Sequence, residues 1–368
     1  MLATLLVLAL LASPAPAYAH GGDAPDATNY RTAVTSVPAV AGLTVRAVEA
    51  GGRLELANRT GHTIEVLGYD GEPYLEIRPD GVYENTRSPA TYLNATLAGD
   101  TEPPATADPT LPPEWRRAAS EPVWRWHDHR THWMSGTPPP VVRADPGRVH
   151  RVRDWTVPLR TGVTTMDVRG TLDWVPPPSP GVWWAILLLA AVAVAALGRW
   201  VRLVAGLLIV AGPVAIGYAV ARELDAGATG FGGVLQGLLL GQVWPVLTGL
   251  AAVAAGAYAF TRRPAADFLL TLSGTCLAVF AGAANAAVFA RAVAPVPGPA
   301  VWARVAIAVV LAVGAGVAAA GVLRLRRAAL ASAPPAPPPP APSPPPAPSP
   351  PSAPPAPSQE GSPLGREF

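Results

Sequence analysis

Between Val123 and Met134 the chain reads Val-Trp-Arg-Trp-His-Asp-His-Arg-Thr-His-Trp-Met, which brings His127, His129, His132 and Met134 into one short run. Three of the six histidines in the protein lie here. Imidazole suits copper and zinc, and a thioether favours copper in its reduced state. On an extended strand His127 and His129 face one way, while His132 and Met134, of the other parity, both face the other. A turn at Arg130–Thr131 would reverse that parity, and the flanking Pro122 and Pro138–Pro140 favour a constrained loop over a helix. Either His-x-His or His-x-Met then forms a two-ligand half-site, with Asp128 as a carboxylate that orients an imidazole. A second reading stands beside it: Trp124, Trp126 and Trp133 are core aromatics, and the histidines, Arg125 and Arg130 hydrogen-bond and stack around them.

The start of the chain adds a fifth candidate. Residues 1–19 combine the apolar run Leu5–Ala12 with Ser-Pro-Ala-Pro-Ala-Tyr-Ala, the pattern of a signal peptide cleaved after Ala19. Cleavage makes His20 the first mature residue, whose free amine and ring nitrogen could chelate one ion. The candidate metal set is therefore His20, His127, His129, His132 and Met134, with copper preferred to zinc. His62 and His150 read as ordinary polar positions. No Gly-x-Ser-x-Gly elbow, His-Glu-x-x-His helix or phosphate loop occurs, so the chain is read as a non-enzyme.

These ligands need elements to hold them. Leu43–Val48, Arg53–Asn58, Thr63–Leu67 and Tyr74–Ile77 alternate apolar and polar residues between Gly- and Asn-rich turns, and His150–Leu159 and Val163–Val175 supply two more strands. The spacing suggests an all-β Greek-key sandwich over residues 20–180, with no helix evident and a long irregular stretch at Thr86–Trp115. The one cysteine, Cys276, leaves no disulfide to brace it.

Residues 181–327 differ. Of all 368 residues 50% are hydrophobic and only 14% charged, and the apolar share is concentrated in five segments, roughly 182–198, 203–221, 233–260, 267–290 and 301–323. They predict an α-helical membrane bundle of about five transmembrane helices, the third starting near Gln242 or Val243 because of Pro245. Arg199 and Arg202, Arg262 and Arg263, and Arg324, Arg326 and Arg327 all fall on one side. The loop holding Arg222, Glu223 and Asp225 falls on the other. The positive-inside rule then puts the β domain outside the cell membrane and the C-terminus in the cytoplasm. The spans hold Gln236, Gln242, Ser273, Thr275 and Asn285 but no mid-depth charge, which favours an anchor over a conduction path. Residues 328–368, mostly Pro, Ala and Ser, read as a disordered cytoplasmic tail. Net charge is +2 with no basic block interleaved with aromatics, which excludes a nucleic-acid surface. The partners expected are the lipid bilayer and an exported protein or copper chaperone.

The Ala-Tyr-Ala–His20 junction, the β-rich domain and its fusion to a helical bundle resemble exported copper-handling proteins of the CopC and CopD type. The Trp-His-Asp-His-Arg-Thr-His-Trp-Met run resembles uncharacterised actinobacterial membrane proteins. The first resemblance implies an Ig-, cupredoxin- or CopC-like sandwich and copper as ligand, for storage, sensing or delivery. The alternative is a cell-envelope scaffold that binds no metal.

Overall fold

The computed structural model describes residues 26–261 and 263–331. The expected signal peptide, His20, Arg262 and residues 332–368 of the expected tail lie outside the described residues, whereas residues 328–331, expected in that tail, continue the last helix.

Ten strands make up the N-terminal part: β1 (Tyr30–Ser36), β2 (Leu43–Val48), β3 (Arg53–Asn58), β4 (Ile64–Leu67), β5 (Pro73–Arg78), β6 (Gly81–Asn85), β7 (Trp115–Ala119), β8 (Val123–Trp126), β9 (His150–Thr161) and β10 (Thr164–Trp174). They form a seven-stranded sheet in the order β1-β10-β9-β4-β5-β6-β7 and a three-stranded sheet β2-β3-β8, with antiparallel pairing throughout. In β2 Leu43 and Val45 point inward while Thr44 and Arg46 face solvent, the period-two pattern of a half-buried strand. One apolar core takes Leu54 and Leu56 from the small sheet and Ile64, Val66, Leu75, Ile77 and Leu159 from the large one. Each of these is at most 1% exposed.

The six expected strand segments are present with small end shifts. Four further strands, β1, β6, β7 and β8, are not among them. Two short helices, α1 (Ala90–Leu93) and α2 (Pro140–Ala144), also lie where none was expected. β8 is the instructive case: Val-Trp-Arg-Trp pairs with β3, Leu54 opposite Trp126 and Leu56 opposite Trp124, so the histidine run starts at a strand end.

The C-terminal part is helical: α3 (Pro180–Ala196), α4 (Val201–Asp225), α5 (Gly230–Gly241), α6 (Val243–Ala259), α7 (Ala266–Cys276) and α8 (Ala300–Ala331). Four continuous helical stretches, Pro180–Arg199, Val201–Asp225, Ala266–Phe289 and Ala300–Ala331, are long and apolar enough to cross a membrane. The third apolar segment is not one rod. It breaks at Gln242, and α5 and α6 meet at 93°. Five glycines weaken α5, and Pro245 sits in the first turn of α6, where its missing N–H costs nothing. At 12 residues α5 is about 18 Å long, too short to span a hydrocarbon core of about 30 Å. The fourth segment changes pitch, passing from α7 into a π turn at Leu277–Gly282 and a tighter 3-10 stretch at Ala283–Phe289.

Small residues let α4 and α6 touch backbone to backbone. A Cβ on Gly212 would lie 2.4 Å from the Gly249 carbonyl oxygen, whereas one on Gly206 would meet nothing. Gly212→Ala is therefore expected to cost about 1–3 kcal/mol through overpacking, and Gly206→Ala to be neutral or slightly stabilising. Thermal melting of the two variants in detergent checks the difference.

The two parts are joined firmly. Five residues, Val-Pro-Pro-Pro-Ser, link β10 to α3, and consecutive prolines make such a linker stiff. Around it, Thr28 pairs with Val293, and the Ala292 N–H donates to Asn29 Oδ1 at 2.9 Å. The Ala50 N–H donates to Asp225 Oδ2 at 2.7 Å, and Arg125 Nη2 donates to the Gly227 carbonyl at 2.7 Å. Arg222, Glu223 and Asp225, expected in a loop, all belong to the last turns of α4. Arg222 is only 4% exposed and donates to Asn285 in the irregular fourth span, so a charge does enter that end of the bundle.

Candidate functional site

The histidine run leaves β8 at Trp126 and crosses the gap between the two sheets. Its turn is built by Asp128, which ends the extended segment and caps a single 3-10 turn over His129–Thr131 by accepting from the Arg130 N–H. This is the bend at Arg130–Thr131 that the parity of the run required. Thr131 closes the turn, with its N–H and hydroxyl both donating to the Asp128 carbonyl.

Asp128 is fully buried. Its Oδ2 accepts from Trp126 Nε1 at 3.0 Å and Arg130 Nη2 at 2.7 Å, and its Oδ1 accepts from Arg130 Nε at 2.8 Å. Burial alone would raise this carboxyl. The Arg130 guanidinium and the Trp126 and backbone donors outweigh burial and hold it below the usual carboxylate range. Arg130 in turn donates to the Leu67 and Gly68 carbonyls and lies over the Tyr69 ring at 5.1 Å. None of these partners of Asp128 is an imidazole. Its place is at the centre of a polar brace that ties the histidine turn to β4, and it does not orient a ligand as the sequence suggested.

The histidines separate around this brace. His127 is 3% exposed; its Nδ1 bonds the Gly52 carbonyl at 2.6 Å and its Nε2 accepts from Arg53 Nε at 3.0 Å. That pairing assigns the neutral tautomer with the proton on Nδ1. His129 stacks on Tyr69 and bonds the Thr96 carbonyl through Nε2 at 3.2 Å, while its N–H donates to the Tyr69 hydroxyl. Gly99 makes room for this ring, because a Cβ there would lie 2.3 Å from His129 Cε1. His132 differs from both. Its Nε2 is buried and has no hydrogen-bond partner among the described residues. Burial lowers its pKa most, His127 and His129 lower it further, Asp128 and a backbone hydrogen bond at Gly52 oppose them, and the result is about 4. Met134 is 43% exposed. Among the described residues no group of three or more His, Cys, Asp or Glu side chains is placed to hold a metal ion.

Sequence reasoning did not reach the residues that surround His127. Glu49, 7% exposed, receives Arg53 Nη1 at 3.1 Å, and burial raises its carboxyl above the ordinary value despite Arg53 and Arg125. Glu49, Ala50 and Gly51 have φ of 58°, 56° and 89°, three successive residues in the left-handed region, two of them not glycine. The only signal of this loop was the Glu-Ala-Gly-Gly composition, which announces a turn and nothing about its strain. Its Ala50 N–H is the one held by Asp225. A continuous path therefore runs from His127 through Gly52 and Arg53 to the strained loop and onto the end of α4.

No protein-family model, curated protein or solved structure matches the chain.

Proposed function

We propose that this is a membrane-anchored envelope scaffold, whose β domain stands outside the membrane as a fixed platform for another exported protein. The observation that carries this reading is the docking of the β domain on the bundle by a stiff five-residue linker and four polar contacts, those of Thr28, Asn29, Ala50 and Arg125. A domain that ferries cargo gains from a free tether, whereas a platform gains from fixed height and orientation. The basic residues at the far end of the bundle support the outward placement of the β domain through the positive-inside rule. Two antiparallel sheets around one core support its description as a Greek-key sandwich of the Ig, cupredoxin or CopC kind.

A second reading rests on one atom. His132 offers a buried, neutral imidazole nitrogen without a partner, which is the state a copper ligand needs. In that reading copper binds at His132, with the mature His20 and Met134 as further ligands, and acts as a sensing or storage signal passed towards α4.

One experiment separates the two. A photocrosslinking residue at Val163, 98% exposed in the β9–β10 turn, is introduced into the full chain in intact cells, with and without a copper chelator. The scaffold reading expects the same exported partner in both conditions and a several-fold loss of capture when Arg125→Gln and Asp225→Asn break the dock. Capture that vanishes with chelation, and equally in His132→Ala, would replace it with the copper reading.

A further inference from the structure

At the end of the bundle away from the β domain, the inner ends of α4, α6 and α7 leave a cavity of about 560 Å³. Its wall includes Arg199, Trp200, Arg202, Arg263 and Asp267. The acidic member is already neutralised, because Arg324 from α8 donates to Asp267 Oδ1 at 2.7 Å and anchors its Nη1 on the Gly198 carbonyl at 2.7 Å. Nη2 of the same Arg324 is buried with no partner among the described residues. The three arginines in the wall have no ion-pair partner among the described residues. Arg199 instead lies over the Trp200 ring at 3.8 Å. The cavity thus carries three uncompensated guanidinium groups and one indole.

Its position along the bundle bears on what anion it meets. Helix α3 runs 17 residues, about 25 Å, from the linker to Ala196, close to the thickness of a hydrocarbon core of about 30 Å, so in a spanning bundle Arg199 and Arg202 would emerge near the lipid phosphates on the side away from the β domain. Guanidinium forks match phosphate oxygens in geometry and charge, an indole sits well at the lipid–water boundary, and basic pockets between transmembrane helices hold anionic head groups. Arg199, Arg202 and Arg263 are exposed, so the hollow is open to an incoming head group, and its one carboxylate is already paired with Arg324.

We propose that this cavity is a binding site for the phosphate head group of an anionic phospholipid, gripped by Arg199, Arg202 and Arg263. The lipid would cement α4, α6 and α7 where the chain between Ala259 and Ala266 is otherwise a short loop.

Native mass spectrometry of the full chain in mild detergent tests this, after exposure to phosphatidylglycerol, to phosphatidylcholine or to inorganic phosphate alone. The wild-type chain should keep one phosphatidylglycerol under conditions that strip phosphatidylcholine. Each of Arg199→Gln, Arg202→Gln and Arg263→Gln should lower retention about fivefold, the effect of one basic side chain at an anionic surface. The control pair Arg326→Gln with Arg327→Gln, near the same end of the bundle but outside the cavity lining, should leave retention unchanged. Melting curves in lipid-free detergent verify that each variant is folded, and because single variants are used, loss of any one to misfolding leaves the other two to decide. Equal retention of the two lipids, or equal loss in the control pair, overturns the site. Displacement of the lipid by millimolar inorganic phosphate overturns the lipid assignment in favour of a free phosphate ligand.

Discussion

Asp128→Ala is expected to destabilise the β domain by about 3–5 kcal/mol, the usual cost of removing one partner of a buried ion pair. Asp128 has no solvent access and accepts four hydrogen bonds, three from Arg130 and one from Trp126. Without it, Arg130 keeps its charge inside the domain with no carboxylate to answer it, only the Leu67 and Gly68 carbonyls and the face of the Tyr69 ring. The histidine turn also loses its cap. Denaturation of the full chain in detergent, followed by tryptophan fluorescence, gives the number. The double replacement Asp128→Leu with Arg130→Met should cost clearly less than the sum of the two single changes, because it leaves no unpaired charge behind. A loss under about 1 kcal/mol for Asp128→Ala would mean that water reaches the pair.

Acid should act on the same turn through His132. Its folded pKa of about 4 lies below the unfolded value of about 6.5, so between those two pH values the unfolded chain binds more protons. Stability attributable to this group is therefore complete above about pH 6.5, falls as pH drops towards 4, and is flat below. The full shift corresponds to about 3 kcal/mol. Glu49 works in the opposite direction, since a carboxyl raised by burial favours the folded state as pH falls. The difference between wild type and His132→Asn isolates the histidine: the wild-type curve should drop between pH 6.5 and 4 relative to the variant. Parallel curves would show that His132 is open to solvent.

The elements that could be read from sequence were those whose partner is local. β2 and β3 alternate cleanly and are hairpin neighbours in register, Leu43 opposite Asn58, so pattern and turn chemistry agree about them. β1 and β7 could not be read that way. They are the two edges of the large sheet, half exposed and weakly alternating, and β1 is a strand because β10, more than a hundred residues later, pairs with it. The membrane segments were legible from length and hydropathy alone. The right-angle break at Gln242 was legible only as a proline-bearing overlength. The candidate site followed the same rule. The bend after Asp128 was visible in the parity of the run and in its flanking prolines. What occupies the ring nitrogens was not, because Gly52, Arg53 and Thr96 approach from elsewhere in the chain.

The three left-handed residues at Glu49–Gly51 bear on how this protein is best handled at the bench. Non-glycine residues in that region cost of order 1–3 kcal/mol each and persist only while their surroundings hold them there. One of the clamps is the Asp225 carboxylate, which belongs to α4, a helix long and apolar enough to cross a membrane. A β domain severed after Trp174 would lack it, and the strained Ala50 it released lies two residues from the carbonyl that fixes His127. The excised domain would thus carry a different histidine environment from the intact chain. Ligand titrations on that fragment would report on histidines without the support they have in the full-length molecule.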